Sequence, residues 1–285
     1  MNTISIILVI FSAFTHASWN YTLKKVQGGI PFVWFFTTLT CLLYVPYIAF
    51  IFLSGQLAIS RIGFLFCLLS VLLHLLYFLF LETAYKFGDL SVVYPITRSA
   101  SPIITILLAF VLLRESLQAF QWFSVFLILA GTILLTSSKA SHKRTASPAL
   151  FFALLCAFSI SGYTLVDKVS MAQLALSPFI LDFFNNLGRS LALTPYAFKH
   201  RDQTTKLISK NKREALMVAI LSPFSYLLIL FAMKYLPVSV ISPMRQLSIV
   251  IGSLMGVLLL REPFSSHKGL GIAMTFVGVL ILNLF

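Results

Sequence analysis

Apolar runs of about 20 residues recur along nearly the whole chain, and they constrain its fold more than any other feature. A helix needs about 20 predominantly apolar residues to cross a bilayer. Charged residues make up 10% of the chain, against about 25% in a soluble domain, so a water-soluble globular surface is excluded. The runs are too long and too uniformly apolar for membrane β-strands. The sequence therefore predicts an all-α, polytopic membrane protein.

Ten such runs predict ten transmembrane helices, separated by turn-forming residues such as Gly28-Gly29, Ser54-Gly55 and Ser177-Pro178. The predicted spans are residues 3–23, 31–54, 62–87, 91–112, 118–137, 149–169, 178–199, 213–236, 238–260 and 267–285.

Lys and Arg residues are divided unevenly between the connections, with 14 after odd-numbered spans and 4 after even-numbered spans. Basic connections remain in the cytoplasm. The division predicts that both termini lie outside and that the connections at 137–148 and 200–213 lie inside. The net charge of +13 is thus explained by topology, and no nucleic-acid partner is expected.

The chain contains two copies of one five-helix unit at an offset of 144 to 148 residues. The segment from Leu90 to Pro95 matches that from Val238 to Pro243, and Leu112-Leu113-Arg114-Glu115 matches Leu259-Leu260-Arg261-Glu262. The predicted units are residues 1–137 and 149–285, joined by a cytoplasmic linker at 138–148. Because five is odd, the second unit is predicted to enter the membrane from the opposite side. Inverted repeats of this kind are typical of secondary transporters.

On these motifs the chain resembles the drug/metabolite transporter superfamily, and specifically the ten-helix proteins built from two EamA domains. Residues 16–20 and 88–98 further resemble a subgroup with members associated with phosphonate utilisation. The resemblance implies a basket of helices with a pseudo-twofold axis in a bacterial inner membrane. It also implies a cavity lined by spans 1, 3, 4, 6, 8 and 9, and dimer contacts through the last helix of each half in smaller relatives. Whether this chain is a monomer or a homodimer stays open.

Three arginines lie inside predicted spans, where an isolated charge is expensive. Arg98 and Arg245 each lie seven residues into a span, about 10 Å from opposite faces at 1.5 Å per residue. Each follows a proline that would kink its helix. Guanidinium groups at a cavity wall suit carboxylate or phosphate oxygens. An alternative stays open, in which Glu82 pairs with Arg98, and Asp182 pairs with Arg245.

Span 7 carries a polar stripe at helical spacing that includes the third arginine. Within this stripe Asp182 is the candidate for proton coupling, because desolvation favours the protonated form of a carboxyl group. A network that only packs helices is the alternative. The candidate coupling or gating residues are Asp182, Glu82, Arg189 and Asn185.

Histidines, aromatic residues and amides near the repeat-matched positions complete the candidate substrate site. The histidines could relay protons or could only bond to backbone carbonyls. The candidate substrate-binding residues are Arg98, Arg245, Trp19, Asn20, His16, His74, Tyr94, Tyr163 and Gln246.

These observations predict a secondary transporter that moves a small polar organic metabolite, anionic or zwitterionic, by alternating access coupled to a proton. A flippase for an amphiphile or a lipid-linked headgroup, or an exporter of organic cations, is the alternative. The sequence has no phosphate-binding loop, no converging metal ligands and no catalytic constellation. We therefore expect no cofactor, no metal and no enzymatic activity.

Overall fold

The computed structural model describes residues 3–26, 28–55, 59–88, 90–136, 147–260 and 264–284, and within these ranges it contains helices and no strands. The helices are α1 (Thr3–Val26), α2 (Gly29–Leu53), α3 (Arg61–Phe87), α4 (Leu90–Leu108), α5 (Ala119–Thr136), α6 (Ser147–Ala172), α7 (Pro178–Lys199), α8 (Arg201–Lys210), α9 (Lys212–Ala232), α10 (Val238–Met244), α11 (Leu247–Leu260) and α12 (Ser266–Leu284).

Each of the ten predicted spans coincides with helix, and eight segments of the described chain are long and apolar enough to cross a membrane. The polar helix α7 and the shorter apolar segment of α12 are not among the eight. The count of ten crossings and the orientation of the termini stay predictions. The predicted linker lies mostly outside the described residues, and its last two residues, Ser147 and Pro148, instead begin α6.

Predicted span 9 is not one continuous helix, because it breaks between α10 and α11 at Arg245 and Gln246. Pro243 lies two residues before the break, and its missing amide leaves the Ser239 carbonyl without the usual helical donor. At the break itself the amide of Gln246 donates to the Pro243 carbonyl, three residues back, in a tighter turn than an α-helix makes. The matching helix α4 continues past Pro95 and ends in a π-helical turn at Ala109–Leu113. The two matched segments therefore differ in conformation.

Glu115, in the connection between α4 and α5, contacts the start of α10. Its two carboxylate oxygens accept hydrogen bonds from the amides of Val238 and Ser239, at 3.0 and 2.9 Å. These amides have no partner within their own helix, and a negative charge is favourable at a helix N-terminus. The carboxylate therefore caps α10 and fixes it beside the end of α4. We call this face of the bundle the α10 end.

Apolar and aromatic contacts at the α10 end join helices of the two predicted units. Val9, near the start of α1, lies in one apolar cluster with Met171, near the end of α6. Tyr47, near the end of α2, contacts Phe179 at the start of α7, with ring centroids 5.0 Å apart. The contacts between halves also occur in matched sets. Helix α3 packs on α6 as α9 packs on α1, and α4 packs on α6 as α11 packs on α1.

Helices α5 and α12 pack against each other through small residues. A Cβ atom on Gly131 would lie 2.7 Å from the carbonyl oxygen of Gly271, and one on Gly278 would lie 2.9 Å from that of Ser124. Both distances are shorter than van der Waals contact, so glycine is required where the two backbones approach. Small residues allow this close approach of membrane helices.

The two ends of the bundle are closed to different degrees. At the α10 end a large apolar cluster includes Leu176, Leu230, Met233, Leu236 and Ile241, all nearly inaccessible. At the opposite end, where α4 begins, two smaller clusters are buried, one of Val93 with three alanines and one that joins Phe32 and Phe36 of α2 to the start of α9. The cluster at the α10 end has more buried apolar residues than these two together, so the α10 end is the more firmly closed.

Substituting Gly131 with alanine should destabilise the protein by about 1–3 kcal/mol, because the added methyl group overpacks the contact between α5 and α12. Thermal unfolding of purified protein in detergent measures the change.

Gly252→Ala is the matched control, since a Cβ atom at Gly252 would meet no other atom within 4 Å. That variant should be neutral or up to about 1 kcal/mol more stable, because alanine favours a helix over glycine. Equal behaviour of the two variants would contradict the tight contact.

Candidate functional site

A cavity of about 180 Å³ lies between the two halves. It is lined by residues of α1, α3, α4, α6, α7, α9 and α11 and by the break between α10 and α11. These include every span that the family resemblance implies, together with α7. On α1 the lining residues recur every three or four positions, as one face of a helix requires. They are Val9, Ser12, Ala13, His16, Trp19 and Asn20.

Three arginines line this one cavity. Arg98 comes from α4, Arg189 from α7 and Arg245 from the helix break. The guanidinium of Arg98 lies over the ring of Tyr94, 5.3 Å from its centroid. Among the described residues, none of the three forms a salt bridge or a side-chain hydrogen bond. The cavity wall therefore holds three positive charges that the described chain does not neutralise by direct pairing.

Glu82 does not pair with Arg98, and it lies outside the cavity lining. Its carboxylate is 3.3 Å from the ammonium group of Lys86, one helical turn further along α3, and its side chain is 38% exposed. Position along the spans predicted similar depths for Glu82 and Arg98, but similar depth does not decide which side chains meet. The predicted pair is absent from the described residues, and a gating role for Glu82 stays a prediction.

Asp182 lines the cavity without forming the predicted salt bridge to Arg245. Its carboxylate accepts a hydrogen bond from the hydroxyl of Tyr44, at 2.7 Å, and it is 3% exposed. Arg189 lies two turns further along α7 and acts on this carboxylate electrostatically. The polar stripe of α7 thus belongs to the cavity wall, with Asn185 and Asn186 between the two charges.

Aromatic groups form the wall between the charges. His74 stacks on Tyr163 with ring centroids 3.8 Å apart, and its Nδ1 lies 2.9 Å from the backbone oxygen of Ser70. His16 meets Trp19 edge-on at 4.9 Å. The Nδ2 of Asn20 donates to the backbone oxygen of His16, which leaves its Oδ1 as the group that the cavity can use.

Gln246 is the one predicted substrate-binding residue that does not line the cavity. It is 5% exposed and follows Arg245 at the helix break. Successive residues of a helical turn point in directions about 100° apart, and here Arg245 faces the cavity whereas Gln246 does not. Gln246 is the residue that matches Arg98 when the two repeats are aligned. In the structure the polar side chains that this part of the second half brings to the cavity are those of Arg245 and Ser248.

Sequence analysis missed a buried acid behind the wall. Asp167 has no exposed surface and accepts hydrogen bonds from the hydroxyls of Ser70, at 2.6 Å, and Tyr226. The residue adjoins Lys168 near the end of predicted span 6, and Lys168 was counted with the connections whereas Asp167 was not considered. A signal was present, because Ile160, Tyr163 and Asp167 share a helical face. The ammonium of Lys168 instead bonds to two carbonyls that precede α10.

One buried hydrogen-bond donor of the cavity lining has no partner among the described residues. The indole Nε1 of Trp19 is buried, and no described residue accepts a hydrogen bond from it. Buried polar atoms normally have partners, so this group favours a ligand with acceptor atoms. The described residues contain no group of three His, Cys, Asp or Glu that could hold a metal ion.

Comparison with known proteins gives three findings. The sequence model of the EamA-like transporter family matches residues 3–137 and 147–284. An uncharacterized transporter of Bacillus subtilis (strain 168), YwfM, is 26% identical over 202 residues, which cover 70% of this chain and 67% of that protein. One solved crystal structure, 13% identical, superposes with a TM-score of 0.75 over 98% of both chains, and this likeness concerns the fold alone.

Replacing Tyr44 with phenylalanine should destabilise the protein by about 1.5–3 kcal/mol, because a buried carboxylate loses a hydrogen bond. Tyr47→Phe is the matched control on the same helix, since the Tyr47 hydroxyl has no hydrogen-bond partner among the described residues. Thermal unfolding of both variants checks the difference. Equal midpoints would show that the Tyr44 contact with Asp182 contributes nothing to stability.

Proposed function

The chain belongs to the EamA-like transporter family, and on that premise we propose that it is a secondary transporter for a small organic anion or anionic zwitterion. The substrate binds the three cavity arginines and crosses the membrane by alternating access coupled to a proton. The observation that carries this proposal is that three guanidinium groups, unpaired within the described chain, line one cavity.

Charge balance favours an anion. Three arginines and one carboxylate, Asp182, line the cavity, and a charge inside a membrane protein is costly without a partner. A ligand with a phosphonate, sulfonate or carboxylate group supplies that partner through paired hydrogen bonds to guanidinium. The same excess of positive charge repels an organic cation, although Trp19 and Tyr163 would otherwise suit one.

The family membership and the packing support two inverted halves. The family match runs over two stretches of similar length, and the packing pairs between halves occur in matched sets. Helices α1 and α6 run in opposite directions, as the apolar cluster at the α10 end indicates. Transporters with inverted repeats bind substrate between the repeats and rock around the site.

The unequal ends support alternating access. The α10 end is closed by a large apolar cluster and by the Glu115 cap on α10. Helix α4 is continuous, whereas the segment that matches it in the second half is broken between α10 and α11. If the two halves exchange these conformations, the α10 end opens and the opposite end closes. The structure then represents one of two related states.

Thermal-shift measurements on purified protein test the substrate class. The probes are methylphosphonate, methanesulfonate, succinate, glutamate and choline. We expect at least one anion to stabilise the protein and choline to have no effect. Arg98→Ala and Arg245→Ala should each weaken anion binding about 10- to 100-fold, the equivalent of one or two charge-assisted hydrogen bonds.

Arg201→Ala is the matched control, since Arg201 is 84% exposed on α8 and away from the cavity. Its anion response should equal that of the parent protein. If both cavity variants keep the full response, the arginines are structural and the anion proposal fails. If only choline stabilises the protein, export of organic cations replaces the proposal.

Removing the Glu115 cap should favour opening at the α10 end, because Glu115→Ala leaves two amides at the start of α10 without their acceptor. Loss of a cap costs about 0.5–2 kcal/mol. The buried Cys67 belongs to the apolar cluster there. Its labelling by N-ethylmaleimide, in a background without Cys41 and Cys156, should accelerate about 2- to 30-fold.

Glu82→Ala provides the control for this measurement, because Glu82 pairs only with Lys86 and lies outside the apolar cluster. Its labelling rate should equal that of the parent protein. An unchanged rate in Glu115→Ala would contradict a role for the cap in closing this end.

A further inference from the structure

We propose that Asp167 is the proton-binding carboxyl group of this protein, located behind the cavity wall rather than on it. The coupling of this proton to substrate rests on the proposed function, whereas the proton site itself does not. Sequence analysis assigned coupling to Asp182 on α7. The contacts of the two acids favour Asp167 on α6 instead.

Asp167 is enclosed by four helices. Its Oδ1 accepts a hydrogen bond from Ser70 of α3, and its Oδ2 accepts one from Tyr226 of α9. The Ser70 hydroxyl also lies 3.2 Å from Asn185 Oδ1 of α7. No part of Asp167 reaches the surface.

No cation pairs with this carboxyl group among the described residues. Burying an ionised carboxylate without a partner is expensive, and such a group takes up a proton instead. The charge that acts on it is Arg245, which interacts electrostatically from the cavity side. The ionised state of Asp167 therefore depends on a guanidinium that also faces the substrate space.

The contacts favour a proton over a metal ion at this site. Ser70 Oγ lies 2.6 Å from Oδ1, and Tyr226 is in direct contact with Oδ2. These are hydrogen bonds from hydroxyl groups, whereas an ion such as Ca²⁺ needs six to eight oxygen ligands at about 2.3–2.6 Å. The described residues supply no group of three His, Cys, Asp or Glu here, so the site suits a proton.

Tyr226 connects the acid to the cavity. Its side chain lines the cavity while its hydroxyl contacts Asp167. On release, the O–H bond of the carboxyl group breaks and its proton passes to the Tyr226 oxygen, as that hydroxyl gives its own proton to water in the cavity. The remaining carboxylate keeps its hydrogen bond from Ser70. Reversal of these two transfers reloads the site, with no other reactant.

The groups that face Asp167 explain how substrate affects the proton. Helix α3 contributes Cys67, α9 contributes Tyr226, α7 contributes Asp182 and the helix break contributes Arg245. Helix α4 also packs on α6, and its ionisable Tyr94 and Arg98 face the cavity. His74 of α3 contacts the Ser70 that bonds to Asp167.

An anion that binds Arg245 neutralises the charge that favours the Asp167 carboxylate, so protonation becomes easier. By linkage, a bound proton leaves Arg245 free and strengthens anion binding to the same extent. The anion and the proton are therefore taken up together.

Asp182 is less suited to this role. It lies on the cavity wall with Arg189 on the same helix face and a hydrogen bond from Tyr44. A bound anion would approach Asp182 directly. Asp167 is screened from the ligand by Tyr226 yet responds to Arg245, so it can gain a proton without contacting the substrate.

Infrared difference spectroscopy between about pH 6 and about pH 8 tests the site without any substrate. The purified protein should show the carbonyl band of a protonated, buried carboxylic acid at the lower pH. Asp167→Asn should abolish this band, and Asp202→Asn, at an exposed position on α8, should leave it unchanged. If Asp182→Asn abolishes the band and Asp167→Asn does not, the assignment is overturned.

A second set of variants covers the case in which Asp167→Asn does not fold. Tyr226→Phe keeps the ring on the cavity wall and removes one hydrogen bond to the acid, and Ser70→Ala removes the other. Each should shift the frequency of the carbonyl band. A band that neither variant moves belongs to another residue.

Calorimetry with methanesulfonate, which has no titrating group in this range, tests the coupling. Titrations in two buffers with different ionisation heats should show uptake of up to one proton per bound anion. The parent protein should bind at most tenfold more tightly for each lower pH unit, the limit for one linked proton. Asp167→Asn should bind with no proton uptake and no pH dependence.

The two experiments separate the possible failures. Binding without proton uptake in the parent protein overturns the coupling and leaves anion transport intact. If methanesulfonate does not bind, the proposed function fails for sulfonates, and the infrared band alone decides whether Asp167 holds the proton.

Discussion

The cost of keeping guanidinium groups inside an apolar bundle shapes this molecule. Three arginines reach one cavity from α4, α7 and the break between α10 and α11. None is neutralised by a salt bridge within the described chain, so the surrounding helices must keep the cavity polar and accessible. Serines, asparagines and tyrosines surround it for that reason. The apolar packing of the rest of the bundle holds these groups in place.

Sequence patterns gave much of the fold and part of the site. The length of the apolar runs predicted a helix at each of the ten spans, because a helix that crosses a bilayer needs about 20 predominantly apolar residues. Periodicity also placed Asp182, Asn185 and Arg189 on one face, and the cavity uses all three. The separate helix α8 was not predicted, because an apolar run does not reveal where a helix stops and restarts. Prolines predicted a kink before both Arg98 and Arg245, but they did not show that only the second of these helices would break.

Pairing was the least predictable feature. Similar depth in the membrane suggested Glu82 for Arg98 and Asp182 for Arg245, yet depth does not fix the direction in which a side chain points. In the structure Glu82 pairs with Lys86, and Asp182 accepts a hydrogen bond from Tyr44. Asp167 was missed because it lies near the end of predicted span 6, beside a lysine that was counted with the connections. Its partners, Ser70 and Tyr226, are about 97 and 59 residues away in the chain, and such contacts arise only from the tertiary packing.

Fusion of two related halves into one polypeptide has an evolutionary consequence. In a symmetric homodimer every substitution appears twice, so both walls of a shared pocket must change together. Here the glycine contact between α5 and α12 lies within a single chain, and each wall can vary alone. The one-position offset between Arg98 and Arg245 in the repeat is such a divergence. An asymmetric pocket can distinguish the two ends of an asymmetric molecule, which identical walls cannot do.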